Sequence, residues 1–261
     1  MFLEKMLVRQ RQEVEARKKV LSYEQMLEQL ERSQPELRPL GPRLTRGGMQ
    51  IIAEVKQASP SRGLLTEDFR PGPLARSYEA AGAAAVSVLT EPHYFRGSLS
   101  DLQAVKAATR ETPVLRKDFI IDRYQLVEAR LYGADAVLLI VAALTPAMLT
   151  ELIRETLALG MTPLVEVHRE EEIAVACDAG AEIIGINNRD LWTLEVNLDT
   201  TLKLRPNIPA GITVVSESGI HSREDVERLK SAGVHGFLIG EALVTHKEPA
   251  LKLRELLEAG S

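Results

Sequence analysis

Hydrophobic and polar positions follow two patterns along the chain, one typical of buried strands and the other of helices. From residue 50 onward, short runs rich in Val, Ile, Leu and Ala alternate with longer stretches of helical spacing. The short runs predict strands near residues 50–55, 85–89, 114–117, 136–140, 162–166, 183–187, 213–217 and 236–239. The longer stretches predict helices near residues 73–82, 99–109, 123–132, 146–159, 170–179, 198–204, 222–232 and 248–258. Because strands that are apolar on both faces are typical of parallel sheets covered by helices, these eight units predict an α/β fold, a (β/α)8 TIM barrel.

An open, doubly wound sheet is the structural alternative. Such sheets usually contain fewer strands, and their Gly-x-Gly-x-x-Gly fingerprint is absent after the first predicted strand. Glycines expected at helix C-caps precede five of the predicted strands: Gly82, Gly133, Gly160, Gly180 and Gly233.

The N-terminal stretch, residues 3–31, predicts an amphipathic helix in one or two pieces because it contains no Gly or Pro. A Pro- and Gly-rich connector follows over residues 35–48. We therefore expect an N-terminal helical extension over residues 1–48 and a barrel over residues 49–261, forming a single domain overall. This helix could be a solvated cap on one end of the barrel, or it could help to enclose an active site. The sequence favours the solvated cap.

Composition narrows the class of protein. The chain has 261 residues, 45% hydrophobic and 26% charged, with a net charge of −5, so we expect no nucleic-acid partner. Its single cysteine, Cys177, excludes an intrachain disulfide and favours a cytoplasmic location. The longest apolar run, residues 136–144, is too short to cross a membrane, and the N-terminus does not resemble a signal peptide. We expect a monomer, with a homodimer as the alternative.

Polar side chains follow the predicted strands at the ends where barrel enzymes carry their catalytic groups. Glu54 and Lys56 stand two residues apart at the end of the first strand, so their side chains share one face. Six other strands end in residues of the same kind: Thr90 and Glu91, Arg116 to Asp118, Glu166 and His168, Asn187 to Asp190, Ser216 to Ser218, and Glu241. A single charge at a strand end is commonly just solvated, but so many in one barrel mouth predict an active site.

Glycines after the last two strands, Gly219 and Gly240, indicate a phosphate site. Glycine lets backbone N–H groups approach an anion, and the loops after strands seven and eight bind phosphate in many barrel enzymes. Plain tight turns are the alternative.

Several motifs resemble the indole-3-glycerol-phosphate synthase family. The first is IIAEVKQASPS at residues 51–61. The supporting motifs, in the same order along the chain, are LTE at 89–91, YFRGS at 94–98, RKDFI at 116–120, VLLIV at 137–141, LVEVH at 164–168, GINNRDL at 185–191, SESGI at 216–220 and FLIG at 237–240. The resemblance covers about residues 3–257.

This resemblance implies a lyase of tryptophan biosynthesis. Its substrate is 1-(2-carboxyphenylamino)-1-deoxyribulose 5-phosphate, and its products are indole-3-glycerol phosphate, carbon dioxide and water. The family uses no metal and no organic cofactor. The implied catalytic residues are Glu54, Lys56, Lys117, Glu166, Asn187 and Ser218. The implied substrate-binding residues are Ser59, Phe95, Phe119, Leu138, Arg189, Glu217, Gly219 and Gly240.

The resemblance also implies roles. Lys117 is the general acid at the ketone, and we expect two neighbouring lysines to lower each other's pKa. Glu166 is the proton-transfer partner, while Glu54 and Lys56 form a second acid–base pair. Which lysine acts in which step stays open. Glu217 could be catalytic or could tether a lysine, and the tether is favoured.

Asn187 would orient the substrate, and Arg189 would bind its carboxylate. Phe95, Phe119 and Leu138 form the apolar wall, and Ser59, Ser218, Gly219 and Gly240 contact the phosphate and sugar. Glu241 departs from the small residue often found in the family, and its charge would repel a phosphate unless its side chain turns away. Residues 57–73 are expected to form a mobile lid.

Three other functions compete with this one. Phosphoribosylanthranilate isomerases rely on a cysteine and an aspartate at strand ends, whereas Cys177 falls in a predicted helix. A lysine Schiff-base aldolase is a second alternative, and trapping of a ketose phosphate on the protein by borohydride would reveal it. A non-catalytic barrel could bind a phosphorylated ligand, but it would not need so many polar strand ends.

Overall fold

Eight parallel strands close into a barrel in the computed structural model, which describes residues 2–258. The strands are β1 (Gln50–Val55), β2 (Ala85–Leu89), β3 (Val114–Lys117), β4 (Ala136–Ile140), β5 (Thr162–Val167), β6 (Ile183–Asn187), β7 (Thr213–Glu217) and β8 (Gly236–Ile239). Closure is complete because β1 pairs with β8 on one side, Ile52 opposite Leu238, and with β2 on the other, Ile52 opposite Ala85. The prediction of a (β/α)8 barrel is confirmed.

Helices surround the barrel and cover its two ends. They are α1 (Phe2–Val20), α2 (Tyr23–Ser33), α3 (Gly41–Leu44), α4 (Pro71–Ala81), α5 (Leu99–Ala108), α6 (Arg123–Leu131), α7 (Pro146–Ala158), α8 (Glu170–Asp178), α9 (Asp199–Leu204), α10 (Arg223–Ser231), α11 (Glu241–Val244) and α12 (Pro249–Leu257). Short 3-10 helices span Val141–Ala143 and Arg205–Asn207, and a hairpin pairs Ala58–Ser59 with Gly63–Leu64. The predicted helices agree with these bounds, whereas α3, α11, the hairpin and the 3-10 turns were not predicted, because elements of two to four residues leave no periodic pattern.

Side-chain caps and glycines define where the helices begin and end. Ser22, Ser98 and Thr145 each accept a backbone N–H of the helix that follows, which satisfies one of its free donors. The five glycines predicted at C-caps all have positive φ, between 77° and 99°, which only glycine adopts without a steric penalty.

Alternation along the strands separates two apolar layers. Ile51, Ala53 and Val55 pack outward under the helices, whereas Ile52 belongs to the core inside the barrel. Glu54 stands two residues after Ile52 and therefore points to the same face of β1. Its side chain thus also lies inside the barrel, at the carboxyl end of the strand. The fold therefore places the polar strand ends at one mouth.

The N-terminal extension runs from this mouth to the opposite end. Phe2 lines the cavity at the mouth, and the α1 side chain of Gln10 donates to Asp118 just after β3. Farther along, the Arg38 backbone N–H donates to Asp135, and Leu44 packs against Gly236 at the beginning of β8. The preferred prediction, a solvated helix that only caps the barrel, is wrong, since α1 both encloses the cavity and buries Leu3 and Met6.

No helix within residues 2–258 is long and apolar enough to cross a membrane. The division of the chain at residue 48 stays a prediction.

Candidate active site

A cavity of about 390 Å³ opens at the carboxyl ends of the strands. It is lined by all the candidate residues but one: Glu54, Lys56, Ser59, Phe95, Lys117, Phe119, Leu138, Glu166, Asn187, Arg189, Ser218, Gly219 and Gly240. The exception is Glu217, which does not line the cavity and is fully buried beside Lys117. Its Oε2 lies 3.6 Å from Lys117 Nζ, and its assignment to the substrate-binding residues stays a prediction.

Glu54 and Lys56 form a close ion pair, with 2.7 Å between Glu54 Oε1 and Lys56 Nζ. Both side chains are largely buried, so the pair is weakly screened by solvent. Gly240 makes room for it: a Cβ at position 240 would collide with Glu54 Oε1 and would lie 3.0 Å from Lys56 Nζ. The paired charges thus lie directly against the loop after β8.

Lys117 lies among carboxylates. Its Nζ is 3.5 Å from Glu166 Oε2 and 3.6 Å from Glu217 Oε2. Burial favours the neutral amine, but Glu166, Glu217 and Glu54 together outweigh it and raise the pKa of Lys117. The expectation that a neighbouring lysine lowers this pKa is wrong, because the nearest charges are negative.

Glu166 and Glu217 are two buried carboxyl groups that share Lys117. Burial and the neighbouring Glu166 raise the pKa of Glu217, whereas Lys117 and His168 overcome burial and lower that of Glu166. Of the two carboxyl groups, Glu217 therefore binds a proton more tightly than Glu166. Gly185 leaves space for this arrangement, since a Cβ there would overlap Glu217 Oε1.

His168 is an ionisable residue at the end of β5, for which the sequence pattern predicts no role. Its Nε2 lies 3.2 Å from Glu166 Oε1, and its Nδ1 lies 3.6 Å from Glu172 Oε2. The sequence signal for this contact is the spacing of four residues between His168 and Glu172. A carboxylate in the first turn of a helix can reach back to the residues that precede the helix.

Arg189 and Asn187 are held by the loop after β6. The Arg189 backbone N–H donates to Asn187 Oδ1, and its Nη1 donates to the Leu194 carbonyl. This hydrogen bond fixes one side of the guanidinium at the cavity wall. Phe95, Phe119 and Leu138 form the apolar wall.

The loop after β7 is conformationally restricted. Ser218 has φ of 68° and Gly219 has φ of 78°. A left-handed serine costs about 1–2 kcal/mol, and residues strained in this way cluster at active sites and ligand-binding loops. Asn188 Nδ2 donates to the Ser218 carbonyl and holds the loop in this conformation.

Arg62 was missed by the sequence reasoning although it lines the cavity. Its Nε lies 3.0 Å from Glu241 Oε1, which joins the loop after β1 to α11. The Glu241 side chain is therefore neutralised by an arginine. Ser59, at the base of the same loop, accepts the Arg62 backbone N–H.

Cys177 is in α8 and does not line the cavity. Within residues 2–258, no group of three or more His, Cys, Asp or Glu side chains is arranged to hold a metal ion. The absence of a cofactor stays a prediction.

Comparisons with known proteins identify one family. A protein-family model described as indole-3-glycerol phosphate synthase matches residues 3–256. The indole-3-glycerol phosphate synthase of Carboxydothermus hydrogenoformans is 47% identical, over 98% of this chain and 100% of the relative. That of Syntrophobacter fumaroxidans is also 47% identical, over 99% of this chain and 98% of the relative. Among solved structures, 3-hexulose-6-phosphate synthase from Salmonella typhimurium aligns with a TM-score of 0.65 at 14% identity, over 81% of this chain and 98% of that one, and it shares the fold alone.

Proposed function

The chain belongs to the indole-3-glycerol phosphate synthase family, and we propose that the cavity at its barrel mouth carries out that family's reaction. The enzyme is a carboxy-lyase of tryptophan biosynthesis. It closes the indole ring of 1-(2-carboxyphenylamino)-1-deoxyribulose 5-phosphate and releases carbon dioxide and water.

The aromatic end of the substrate fits the apolar wall. Phe95, Phe119 and Leu138 would pack against the ring, and Arg189 would bind the carboxylate through its remaining N–H donors. Asn187, which lines the cavity beside Arg189, would orient the substrate hydroxyls.

The phosphate fits the opposite side of the mouth. Gly219 and Gly240 present backbone without a side chain, and Ser59 and Ser218 supply hydroxyls at the same wall. The Lys56 ammonium, which lies against Gly240, supplies the positive charge.

Ring closure needs an acid at the ketone oxygen while the ring carbon attacks the ketone carbon. Lys117 can take this role because Glu166, Glu217 and Glu54 keep it an ammonium, and the alkoxide that develops at the ketone oxygen is basic enough to take its proton. Loss of carbon dioxide then restores the aromatic ring. The hydroxyl group left at the former ketone carbon departs as water, with Lys56 and Glu54 as the second acid–base pair and Glu166 as the acceptor of the proton that the substrate loses.

One observation carries this proposal: Lys117, within 3.6 Å of both Glu166 and Glu217, lines a cavity that is also lined by apolar side chains and by glycine loops. Neither a phosphate-binding barrel nor a cysteine-dependent isomerase would need that cluster. In a lysine Schiff-base aldolase, the lysine would have to be a neutral amine, whereas these carboxylates favour the ammonium.

The test is turnover of the carboxyphenylamino substrate, followed by the fluorescence of the indole product. We expect formation of product by the native chain and a loss of at least about a hundredfold in Lys117→Ala, which lacks the general acid. Far-UV circular dichroism and cooperative melting should be retained. Lys203→Ala, which removes an exposed lysine from α9, is the matched control.

Normal turnover by Lys117→Ala would rule out the general-acid role. Trapping of a ketose phosphate on the protein by borohydride would instead indicate an aldolase. A monomeric state and a cytoplasmic location stay predictions of the sequence.

A further inference from the structure

Behind Glu166, on the side away from the cavity, lies a short row of buried charged groups. His168 stands between two carboxylates, with Nε2 3.2 Å from Glu166 Oε1 and Nδ1 3.6 Å from Glu172 Oε2. The His168 side chain is only 2% exposed, and it does not line the cavity. Solvent therefore does little to stabilise a charge on this ring, and the two carboxylates are the groups placed to do so.

The turn from β5 into α8 builds this row. Glu172, in the first turn of α8, accepts the His168 backbone N–H at 2.6 Å and faces the imidazole with the same oxygen. A carboxylate there is also favoured by the helix dipole. The neighbouring Glu170 and Glu171 are exposed, so only Glu172 is directed inward.

The two oxygens of Glu166 have different partners. Oε1 faces His168 and Oε2 faces Lys117, so the carboxylate is fixed between an imidazole and an ammonium. When Lys117 transfers its proton to the ketone, Glu166 loses the positive charge on that side. A buried carboxylate left without a counter-charge would itself take up a proton and would no longer be able to accept one from the substrate.

We propose that His168 is a positioning residue for Glu166: held as an imidazolium by Glu172, it orients the Glu166 carboxylate and keeps it ionised while Lys117 is uncharged. This inference rests on the proposed function for the role of Lys117. It adds a residue that does not touch the substrate and acts through Glu166 alone.

The charge state of the imidazole agrees with this role. Burial favours the neutral ring, but the contacts with Glu166 and Glu172 outweigh burial and raise the pKa of His168 to about 9. The largest charge contributions come from these two carboxylates, one on β5 and one on α8. Lys117 lies on the far side of Glu166.

The first test is His168→Asn, which removes the charge in a smaller side chain. We expect kcat at neutral pH to fall about tenfold or more with KM nearly unchanged, because the substrate contacts remain. The acidic limb of the kcat profile should move up by about one to three pH units, the shift expected when a carboxylate loses a neighbouring opposite charge. A residue that only packs would change the melting temperature and leave this limb in place.

Glu172→Gln is the second variant. It tests the same positioning role even if His168→Asn fails to fold. Its amide oxygen can still accept the His168 N–H, but the charge that holds the imidazolium is gone. We expect a smaller shift of the acidic limb in the same direction. Glu171→Gln removes an equal charge from the exposed side of the same helix turn and should leave the profile unchanged.

Nitrogen NMR of the five histidines tests the inference without any turnover. The ring signals absent from His168→Asn identify His168, and both of its nitrogens should stay protonated up to about pH 8 in the native chain. If the native chain fails to turn over the substrate, the proposed function is wrong. If it turns over but His168 titrates near pH 6.5, or the acidic limb does not move in His168→Asn, the positioning role is wrong.

Discussion

Two glycines determine which side chains can meet at the mouth. Gly185 leaves the space that Glu217 occupies, and Gly240 leaves the space for Glu54 and Lys56. Because Gly240 has an ordinary negative φ, its importance is steric and does not come from backbone freedom.

Gly240→Ala tests this steric role. The new Cβ would displace the ends of the Glu54 and Lys56 side chains, so we expect kcat/KM to fall about tenfold or more. Stability should change little, because the atoms that must move are the ends of two flexible side chains. Gly47→Ala is the control, since nothing lies within 4 Å of a Cβ at that position. Steady-state kinetics and urea unfolding measure both effects. Equal behaviour of the two variants would contradict the steric argument.

The raised pKa of Glu217 predicts a particular dependence of stability on pH. Burial and Glu166 raise its pKa from 4.5 to about 8 in the folded protein. Between these values the folded state keeps a proton that the unfolded state has released, so the free energy of unfolding should decrease as pH rises through this window. Glu217→Gln cannot ionise and should show a shallower decrease in urea unfolding between pH 5 and 8.5. An unchanged slope would mean that Glu217 is already ionised in the folded protein.

At the level of elements, the loop after β1 is joined to the residues that follow the neighbouring strand β8. Its hairpin carries Arg62 to Glu241 at the beginning of α11, on the side where the phosphate is expected. Because the Arg62 side chain is 60% exposed, the ion pair adds little to stability, and its effect lies in where it holds the loop.

Arg62→Ala should therefore change the loop and leave the melting temperature almost unchanged. We expect faster amide exchange in residues 57–73 and a higher KM, because the loop is less often in place over the phosphate. Indole-3-glycerol phosphate should slow this exchange in the native chain. Arg76→Ala, an exposed position on α4, is the control. Exchange that the product leaves unchanged in the native chain would show that the loop is not a lid.

At the level of the whole molecule, a buried charge network joins the N-terminal extension to the barrel. Arg116 is fully buried and contacts Asp118 and Glu128, while Gln10 and Arg17 of α1 contact the same two carboxylates. Alternation along β3 directs Lys117 into the cavity and Arg116 outward, so the site and the docking of α1 depend on adjacent residues.

Arg116→Leu should destabilise the folded chain by about 3–5 kcal/mol, because it leaves two buried carboxylates without their main partner. Arg11→Leu makes the same exchange at an exposed position of α1 and should change stability far less. The free energy of unfolding in urea measures both. A loss no larger than that of the control would mean that the network does not hold the extension to the barrel.

Much of the site could be predicted because parallel strands bring their carboxyl ends to one edge of a barrel. Glu54, Lys117 and Glu166 are far apart in the chain, yet each was recognisable as the polar end of an apolar run and as part of a family motif. Arg62 and Phe2 could not be found this way, because neither follows a predicted barrel strand directly. Arg62 lies in the polar loop after β1, and Phe2 begins a helix that meets the mouth only after folding.

The sequence by itself determined the order and extent of the barrel elements, the family and nearly all of the cavity lining, because these follow from local hydrophobic patterns and short motifs. Only the tertiary structure decided how the charges pair. Lys117 is surrounded by carboxylates, Glu217 lies beneath the cavity instead of lining it, and His168 stands behind Glu166. Protonation states depend on burial and on distances between groups from different strands, and those quantities exist only once the barrel has closed.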